Sequence, residues 1–183
     1  MIFQETPLPG AFLISPELRE DERGFYARIF CQTEFSAQGL DPLLTQAGVS
    51  FNRQAGTLRG LHYQAAPHAQ TKLVRCSHGA IYDVIVDLRP ASPTRLQWFA
   101  CKLTATNRQM LYVPHGFAHG FQTLQDATEV CYHMGSDYVP AADRGVRWDD
   151  PLFNIPWPAV ERRILAPRDA SFPDYDPAVA EQP

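Results

Sequence analysis

The segment Leu58-Arg59-Gly60-Leu61-His62-Tyr63-Gln64 is followed shortly by Gln70-Thr71-Lys72-Leu73-Val74-Arg75. Apolar and polar residues alternate in both segments, which is the pattern of half-buried strands. If the two strands pair, they bring a titratable base, His62, close to cationic side chains, among them Lys72. Such a patch could take a proton from carbon and stabilise the anion that forms.

Strand-like segments of this kind recur along most of the chain, with glycine and proline between them. Proline makes up 16 of the 183 residues, well above the usual ~5%, which disfavours a helical bundle. The predicted strands are residues 11–14, 25–30, 46–52, 56–64, 70–77, 80–88, 97–104, 109–113, 119–123 and 128–134. We therefore predict one all-β domain over residues 1–183, an antiparallel sandwich or barrel. Short helices are expected near 33–38 and 92–95, and a loosely held tail at 173–183.

The composition excludes several broad classes of function. The formal net charge of −4 gives no general reason to bind nucleic acid, so any affinity for anions must come from local basic clusters. Its start lacks the basic and apolar regions of a secretory signal, and no run approaches the ~20 apolar residues that span a bilayer. We therefore expect a cytoplasmic protein with no membrane contact. Cys31, Cys76, Cys101 and Cys131 form no CxxC pair, so we expect buried free thiols rather than disulfides.

Strand alternation places an acid among apolar neighbours in Ile81-Tyr82-Asp83-Val84-Ile85-Val86-Asp87. Ile81, Asp83 and Ile85 share one face of this strand. Because an isolated carboxylate is costly to bury, Asp83 needs a partner, which Lys72 or His62 on a neighbouring strand could supply. A purely structural ion pair is the alternative to a functional one.

The same alternation sets Arg59 and His62 on opposite sides of a regular strand. Gly60 lies between them, and a β-bulge there could re-aim one of the two side chains. A lone histidine in a strand is most often a packed or surface residue. The neighbouring cations are what favour a chemical role for His62.

The segment Val113-Pro114-His115-Gly116-Phe117-Ala118-His119-Gly120-Phe121 contains the pattern Pro-x-Gly-x-x-His. This pattern resembles the second conserved motif of the cupin superfamily, whose histidine joins a His-x-His pair and a glutamate in metal cupins. The corresponding segment here, His62-Tyr63-Gln64, has no second histidine at that spacing and no suitably placed glutamate. A metal site is therefore not expected, and His115 is interpreted as a turn residue.

Two further residues have ordinary interpretations that their surroundings could change. Tyr132 lies in an alternating run, where a tyrosine is usually part of the amphipathic core. Asp169 lies in Ala166-Pro167-Arg168-Asp169-Ala170 and would by default be a solvated loop acid. Across a cavity from His62, Tyr132 could deliver a proton to carbon, and beside His62, Asp169 could orient the imidazole.

Taken in order, these pieces resemble the dTDP-4-dehydrorhamnose 3,5-epimerase family, whose fold is the cupin double-stranded β-helix. The resemblance implies a jelly-roll-like antiparallel barrel with a few short helices. No single motif is decisive, but the ordered set from Asp21 to Asp169 is specific. The matching motifs are Asp21-Glu22-Arg23-Gly24-Phe25, residues 58–64, Lys72-Leu73-Val74-Arg75, residues 83–93, 113–121 and 138–140, and Gly145-Val146-Arg147-Trp148.

The resemblance implies a nucleoside-diphosphate 4-keto-6-deoxyhexose as substrate, with the protons at C3 and C5 acidified by the C4 carbonyl. It implies His62 as the general base, oriented by Asp169, and Lys72 as the group that stabilises the enolate oxygen. Tyr132 would return a proton from the opposite face and so invert the centre. Asp83 would hold Lys72 and His62 in place. No metal or organic cofactor is implied.

The resemblance also implies an assembly and a set of binding residues. Family members are homodimers in which the N-terminal strands cross over, which would bring Arg23 to the partner's site. Arginine suits the diphosphate because its planar guanidinium can donate two parallel hydrogen bonds. The implied substrate-binding residues are Arg23, Arg28, Gln46, Ala47, Gly48, Arg59, His119, Tyr138, Asp143 and Arg168.

Three positions depart from the family pattern, and all three affect substrate recognition. Arg28 stands where a substrate-contacting glutamate is expected. Gly48 ends a segment that reads Gln-x-Asn in relatives, and the shorter Asp143 replaces a glutamate. Because the catalytic set is intact, the reaction is better supported than thymidine specificity, and a different base or sugar pattern is a hypothesis.

Several alternatives stay open from the residues alone. A related cupin could epimerise one carbon only, act as a 3,4-ketoisomerase or prefer another nucleotide. A non-catalytic sugar-binding or metal-binding cupin is a different class of protein. It would not need His62, Lys72, Tyr132 and Asp169 together.

Overall fold

The chain folds almost entirely as short β-strands joined by turns. The computed structural model describes residues 1–178. Two short helices, α1 (Gln32–Ala37) and α2 (Pro167–Ala170), and a 3₁₀ turn at Pro140–Ala142 lie among these residues. Their strands are β1 (Ile2–Glu5), β2 (Phe12–Ser15), β3 (Arg19–Asp21), β4 (Gly24–Tyr26), β5 (Gln46–Asn52), β6 (Leu58–Gln64), β7 (Lys72–His78), β8 (Ala80–Asp87), β9 (Trp98–Thr104), β10 (Met110–Val113), β11 (Phe117–Thr123), β12 (Thr128–Met134) and β13 (Asp143–Gly145).

The strands form two antiparallel sheets that face each other, and a separate hairpin of β3 with β4. Within residues 1–178, one sheet has six strands in the order β1-β2-β10-β7-β12-β5. The other has five strands in the order β13-β6-β11-β8-β9. Neighbouring strands are mostly distant in sequence, as in a jelly roll. The predicted all-β antiparallel architecture with few short helices is confirmed.

Alternation along the strands divides the apolar side chains between the two faces of each sheet. On β8, Ile81 and Ile85 pack into the core between the sheets. Val84 and Val86 pack on the outer side of the five-stranded sheet. On the outer side of the six-stranded sheet, Phe35 of α1 closes a third cluster. Apolar packing on both faces therefore fixes the strands that carry the polar residues described below.

Strands β6 and β7 do not pair with each other, contrary to the first expectation. β6 lies between β13 and β11, whereas β7 lies between β10 and β12 in the opposite sheet. The two strands nevertheless meet across the sandwich, where Nζ of Lys72 donates a 3.3 Å hydrogen bond to the carbonyl oxygen of His62. The base and the cation are therefore brought together by sheet packing and not by strand pairing.

Of the two expected helices, the one near 33–38 is confirmed as α1 and the one at 92–95 is wrong. Residues 90–96 instead form turns around the buried carboxylate of Asp87. The hydroxyls of Ser92 and Thr94 and the guanidinium of Arg89 all donate hydrogen bonds to this carboxylate. Such side-chain bonds compete with helix formation. Within residues 1–178, no helix is long and apolar enough to cross a membrane.

Alternation does not predict β1, β3 or β13. Each has only three or four residues, which is too few for a period of two to stand out. The three residues of β3 (Arg19–Asp21) are all charged and exposed. These strands depend on their pairing partners, which local sequence does not name.

The four cysteines are free thiols, as expected. Burial is complete only for Cys76, whereas Cys31, Cys101 and Cys131 are partly buried. Each thiol sits beside strand or helix residues, and none contributes a cross-link to the stability of the described residues.

Two residues of the expected tail contact the rest of the domain. The amide of Tyr175 donates a 2.6 Å hydrogen bond to Asp150, and Asp174 pairs with Arg147 at 2.8 Å. The expectation of a loosely held tail at 173–183 stays a prediction. Residues 179–183 lie outside the described part of the chain.

Candidate active site

A cavity of about 650 Å³ opens between the two sheets, beside β6, β7, β11 and β12. Its volume lies in the usual range for a small-molecule site, and its lining combines apolar side chains with a few convergent polar groups. The cavity brings together seven of the residues predicted for the site, namely Arg59, His62, Lys72, His119, Tyr132, Arg168 and Asp169.

The imidazole of His62 is held by Asp169, which follows it by 107 residues. Nε2–H of His62 donates to Oδ1 of Asp169 at 2.8 Å, and the amide of Gly60 donates to Oδ2 at 3.1 Å. Burial raises the pKa of the Asp169 carboxyl, but the hydrogen bonds from His62 and Gly60 and the positive charges of protonated His62 and of Arg168 together leave the pKa lowered. Because an ionised carboxylate only accepts, Asp169 selects the tautomer of a neutral imidazole that has its proton on Nε2 and its lone pair on Nδ1.

A bulge at Gly60 turns both Arg59 and His62 towards the cavity. The pairing of β6 with β11 shifts its register opposite this point. Gly60 has a φ of +116°, and a Cβ there would lie 2.6 Å from Cα of Gly120, so only glycine fits. The bulge that strand parity requires is therefore present.

Lys72 is partly buried, with its ammonium group in the wall of the cavity. Burial lowers the pKa of Lys72 to about 8, although the carboxylates of Asp143 and Asp83 act in the opposite direction. The group is charged at neutral pH but poorly solvated. Its field therefore acts strongly on any anion that forms in the cavity.

Tyr132 lies on the wall opposite His62, because their strands belong to different sheets. Burial raises the pKa of the Tyr132 phenol, and the charge of Asp83 raises it further, against a smaller opposing effect of Arg59. The phenol therefore stays protonated at ordinary pH and can donate. Its ring lies edge-on to His119, with centroids 6.1 Å apart, which helps to fix its orientation.

Asp83 is fully buried, and its partner is His119 rather than Lys72 or His62. Nε2–H of His119 donates to Oδ1 of Asp83 at 2.8 Å. The reason is topological, because β8 pairs with β11 and β9 and not with β6 or β7. The expected direct contact is therefore wrong, although the charge of Asp83 still acts on the pKa values of Lys72 and Tyr132.

Arg168, Asp143 and Tyr138 form a hydrogen-bonded cluster beside the cavity. Nη1 of Arg168 and the hydroxyl of Tyr138 both donate to Oδ2 of Asp143 at 2.7 Å. Burial raises the pKa of the Asp143 carboxyl, but these hydrogen bonds outweigh burial and leave the pKa lowered. The hydrogen bond to Asp143 in turn raises the pKa of the Tyr138 phenol. The cluster ties β13 to α2 and sets the direction of the Arg168 side chain.

Arg23 and Arg28 lie away from this cavity. The side chain of Arg23 is 84% exposed at the β3–β4 turn and pairs with Asp21 at 2.6 Å. Arg28 pairs with Glu34 at 2.6 Å. Neither arginine therefore reaches the cavity of its own chain.

Gln46, Ala47 and Gly48 begin the edge strand β5. The side-chain amide of Gln46 donates a 2.8 Å hydrogen bond to the carboxylate of Asp137. Gly48 is the cross-strand partner of Tyr132, so it faces the cavity side of the sheet. The side chain of Ala47 points to the other face, and its implied substrate contact could involve only the backbone.

Ser50, Gln70 and Met134 line the cavity but are not among the predicted site residues. Ser50 follows Gly48 at a spacing of two on β5, so alternation alone could have placed it on the same face. Its hydroxyl is buried without a hydrogen-bond partner among the described residues. A bound ligand could satisfy such a group.

Comparison with known sequences agrees with this geometry. The family model of dTDP-4-dehydrorhamnose 3,5-epimerase matches residues 5–176. A dTDP-4-dehydrorhamnose 3,5-epimerase of Sinorhizobium fredii is 42% identical over 173 residues, which cover 94% of this chain and 89% of that protein.

Solved structures agree as well. The dTDP-4-dehydrorhamnose 3,5-epimerase of Bacillus anthracis with TDP and PPi bound has a TM-score of 0.90 at 44% identity, over 94% of this chain and 98% of that one. An epimerase from Legionella pneumophila in complex with dTDP-4-keto-L-rhamnose has a TM-score of 0.88 at 34% identity, over 93% and 90%. A 3'-monoepimerase from Streptomyces bikiniensis in complex with dTDP-quinovose has a TM-score of 0.85 at 32% identity, over 92% and 85%. The chain therefore has the cupin-type fold and belongs to the dTDP-4-dehydrorhamnose 3,5-epimerase family.

Proposed function

We propose that this chain inverts C3 and C5 of a dTDP-linked 4-keto-6-deoxyhexose, converting dTDP-4-dehydro-6-deoxyglucose to dTDP-4-dehydrorhamnose without a metal or organic cofactor. The observation that carries the proposal is the placement of a base and a partly buried phenol on opposite walls of one cavity. The base is His62 with its partner Asp169, and the phenol is that of Tyr132. Inversion needs a proton to leave one face of a carbon and another to arrive on the opposite face.

The C4 carbonyl of the substrate acidifies the C–H bonds at C3 and C5. Nδ1 of His62 takes one of these protons while the electron pair of the C–H bond moves towards O4 and forms an enolate. Lys72 stabilises the charge on O4, which is larger in the transition state than in the ground state. Tyr132 then donates its phenolic proton to the opposite face, and the ketone reforms with the centre inverted. His62 and Tyr132 regain their starting states by proton exchange with water before the next carbon reacts.

Incubation of the protein with dTDP-4-keto-6-deoxy-D-glucose in the presence of a chelator tests the proposal. The recovered sugar should have the inverted configuration at both C3 and C5, as read from proton coupling constants. Unchanged sugar, or a reaction that needs added metal, would contradict the proposal. Asp169→Asn protein purified in parallel controls for a contaminating epimerase, because its reaction should be much slower.

The pKa of Lys72 predicts a basic limb in the pH profile. Burial lowers this pKa to about 8, so the ammonium ion is present below that pH and is lost above it. The value of kcat/KM should fall about tenfold per pH unit once the pH exceeds the pKa of the essential ammonium group. Lys72→Arg keeps its charge at high pH and should lose this limb, although its geometry lowers the plateau. A wild-type profile that stays flat to well above the pKa of Lys72 would remove the ammonium ion from the mechanism.

Thymidine as the preferred base is part of the proposal, supported by the dTDP-linked names of the relatives. A Cβ at Gly48 would lie in ordinary van der Waals contact with Met134, 3.6 Å from its Cε. Gly48→Asn restores the asparagine that the family pattern has at this position and is the matched variant. Calorimetry with dTDP, CDP, GDP and UDP decides the preference, and tighter binding of another nucleotide would overturn it.

Inversion of a single carbon is a second candidate function. The similarity to the 3'-monoepimerase of Streptomyces bikiniensis favours it. The same coupling constants distinguish the two, because a monoepimerase leaves C5 in its original configuration. A 3,4-ketoisomerase would instead move the carbonyl from C4 to C3.

We also propose a homodimer, as the family resemblance implies. The outer face of β5 exposes Val49 and Phe51, at 64% and 55% of their surface. The β3–β4 hairpin exposes Phe25 and Tyr26 next to Arg23. Exposed apolar side chains of this size mark interaction surfaces when they cluster. A sedimentation mass of one chain would contradict the dimer.

The cytoplasmic location and the lack of nucleic-acid and membrane partners stay predictions of the sequence.

A further inference from the structure

The aromatic ring of Phe172 lies directly over Gly145. Gly145 is the cross-strand partner of His62 in the pairing of β13 with β6. A Cβ built on Gly145 would overlap the Cε2 and Cζ atoms of Phe172. The ring therefore occupies the space that a side chain at position 145 would fill, and glycine is what admits it.

From this position the ring contacts two groups of the proposed active site. Its centroid lies 6.2 Å from that of His62, with the ring planes at 73°, which is an edge-to-face contact. The guanidinium carbon of Arg168 lies 5.5 Å from the same centroid. Phe172 therefore touches the base directly and, through Arg168, the short helix that carries Asp169.

Backbone bonds fix the chain before this helix. The backbone amide of Leu58 donates a 2.8 Å hydrogen bond to the carbonyl oxygen of Ile164. The backbone amide of Ile164 in turn donates a 2.9 Å hydrogen bond to the carbonyl oxygen of Gly56. The helix itself has only four residues, so its own hydrogen bonds cannot hold it rigidly. Its position therefore depends on side-chain contacts, among them the hydrogen bonds of Arg168 to Asp143 and of the Gly60 amide to Asp169, and on what holds the chain after it.

Phe172 holds the chain directly after the helix. Ala170 and Ser171 are exposed, so Phe172 is the first residue after Asp169 that packs against the barrel. Further along, the amide of Tyr175 is bound by Asp150. Loss of the Phe172 ring would therefore loosen the helix locally without releasing the following residues.

We propose that Phe172 is a positioning residue for the His62–Asp169 pair, and that Gly145 is required at its position to seat the ring. The inference rests on the proposed function, because it assigns His62 as the base. Phe172 acts on the reaction through the orientation of the imidazole and of the carboxylate that binds it, whereas Arg168 keeps its separate hydrogen bond to Asp143. Misplacement of a catalytic group by about 1 Å can lower a rate by about 10²-fold.

Phe172→Ala should therefore lower kcat by roughly 10- to 100-fold and change KM much less. Phe172→Leu keeps an apolar side chain over Gly145 and should recover most of the loss. Tyr175→Leu is the matched control, since it removes an aromatic ring from the same tail without touching His62. A Phe172→Ala enzyme with full kcat, or an equal loss in Tyr175→Leu, would overturn the proposal.

Gly145→Ala tests, in a double-mutant cycle with Phe172→Ala, whether the Phe172 ring needs glycine at position 145. Alone it should displace the ring and lower kcat about as much as Phe172→Ala does. In the background of Phe172→Ala it should have little further effect, because the ring that it would meet is gone. Independent effects that multiply in the double variant would contradict the coupling.

One measurement keeps this inference separate from the proposed function. The imidazole N–H proton that His62 shares with Asp169 should give a downfield NMR signal, assigned by its absence in His62→Ala. The signal should broaden or disappear in Phe172→Ala and persist in Tyr175→Leu, whether or not any sugar is turned over. An unchanged signal in Phe172→Ala would show that the pair does not need the ring, even in an active epimerase.

Discussion

Replacing His62 with alanine should abolish proton exchange at both C3 and C5 of the substrate. Loss of a general base typically costs about 10²- to 10⁴-fold in rate. Both carbons should be affected together, because His62 is the base that Asp169 orients in the cavity. The fold should persist, because Asp169 keeps its hydrogen bond from the amide of Gly60.

Nucleotide affinity separates a catalytic loss from a binding loss in this variant. The dissociation constant for dTDP should stay nearly unchanged in His62→Ala, since Arg59 and Arg168 remain in the cavity lining. Arg59→Ala is the reciprocal variant and should weaken dTDP binding while its His62 is intact. Residual exchange near the wild-type rate in His62→Ala would mean that another group removes the proton.

Replacing Tyr132 with phenylalanine should separate proton removal from inversion. The change removes one hydroxyl and keeps the ring against His119, so the cavity retains its shape. His62 can still take a proton and return one to the same face, after exchange with solvent. In heavy water, recovered substrate should therefore gain deuterium with its configuration retained, while product formation falls by about 10²-fold or more.

Tyr82→Phe is the matched control for this variant. Tyr82 packs on the outer side of the five-stranded sheet, away from the cavity, and its loss of a hydroxyl should leave turnover unchanged. Equal loss of substrate labelling and of product in Tyr132→Phe would contradict the division of roles. Full activity of Tyr132→Phe would remove the phenol from the mechanism.

The alternation of apolar and polar residues predicts where strands lie and which face of the sheet each side chain takes. The bounds of β5 and β12 match the expected segments 46–52 and 128–134. The inward direction of Asp83 and the bulge at Gly60 also follow from parity, and the structure contains both. These features depend only on which face each residue of one strand takes.

Pairing order is what local sequence could not supply. His62 and Lys72 lie on strands of different sheets, so their proximity arises from the packing of those sheets. Asp83 pairs with His119 because β8 and β11 are neighbouring strands, and this strand order is determined by the fold as a whole. The prediction that His62 lies near a cation is therefore right, but the expected pairing of the two strands that carry them is wrong.

Contacts between residues far apart in the sequence could be predicted only from the family resemblance, or seen in the structure. His62 and Asp169 are 107 residues apart, and Asp169 looks like a solvated loop acid in its local sequence. Family resemblance brought these two together, and the hydrogen bond agrees with it. The seat of Phe172 over Gly145 has no local signal, because it depends on how β13 and the residues after α2 pack.

The location of solvent deuterium in the sugar tests the central claim most directly. Wild-type protein and His62→Ala are incubated side by side in heavy water with the dTDP-linked 4-keto sugar, and the recovered sugar is read by NMR and mass spectrometry. The account predicts deuterium at both C3 and C5 with the wild type and at neither carbon with His62→Ala. Labelling at C3 alone in the wild type, or undiminished labelling in the variant, would contradict it.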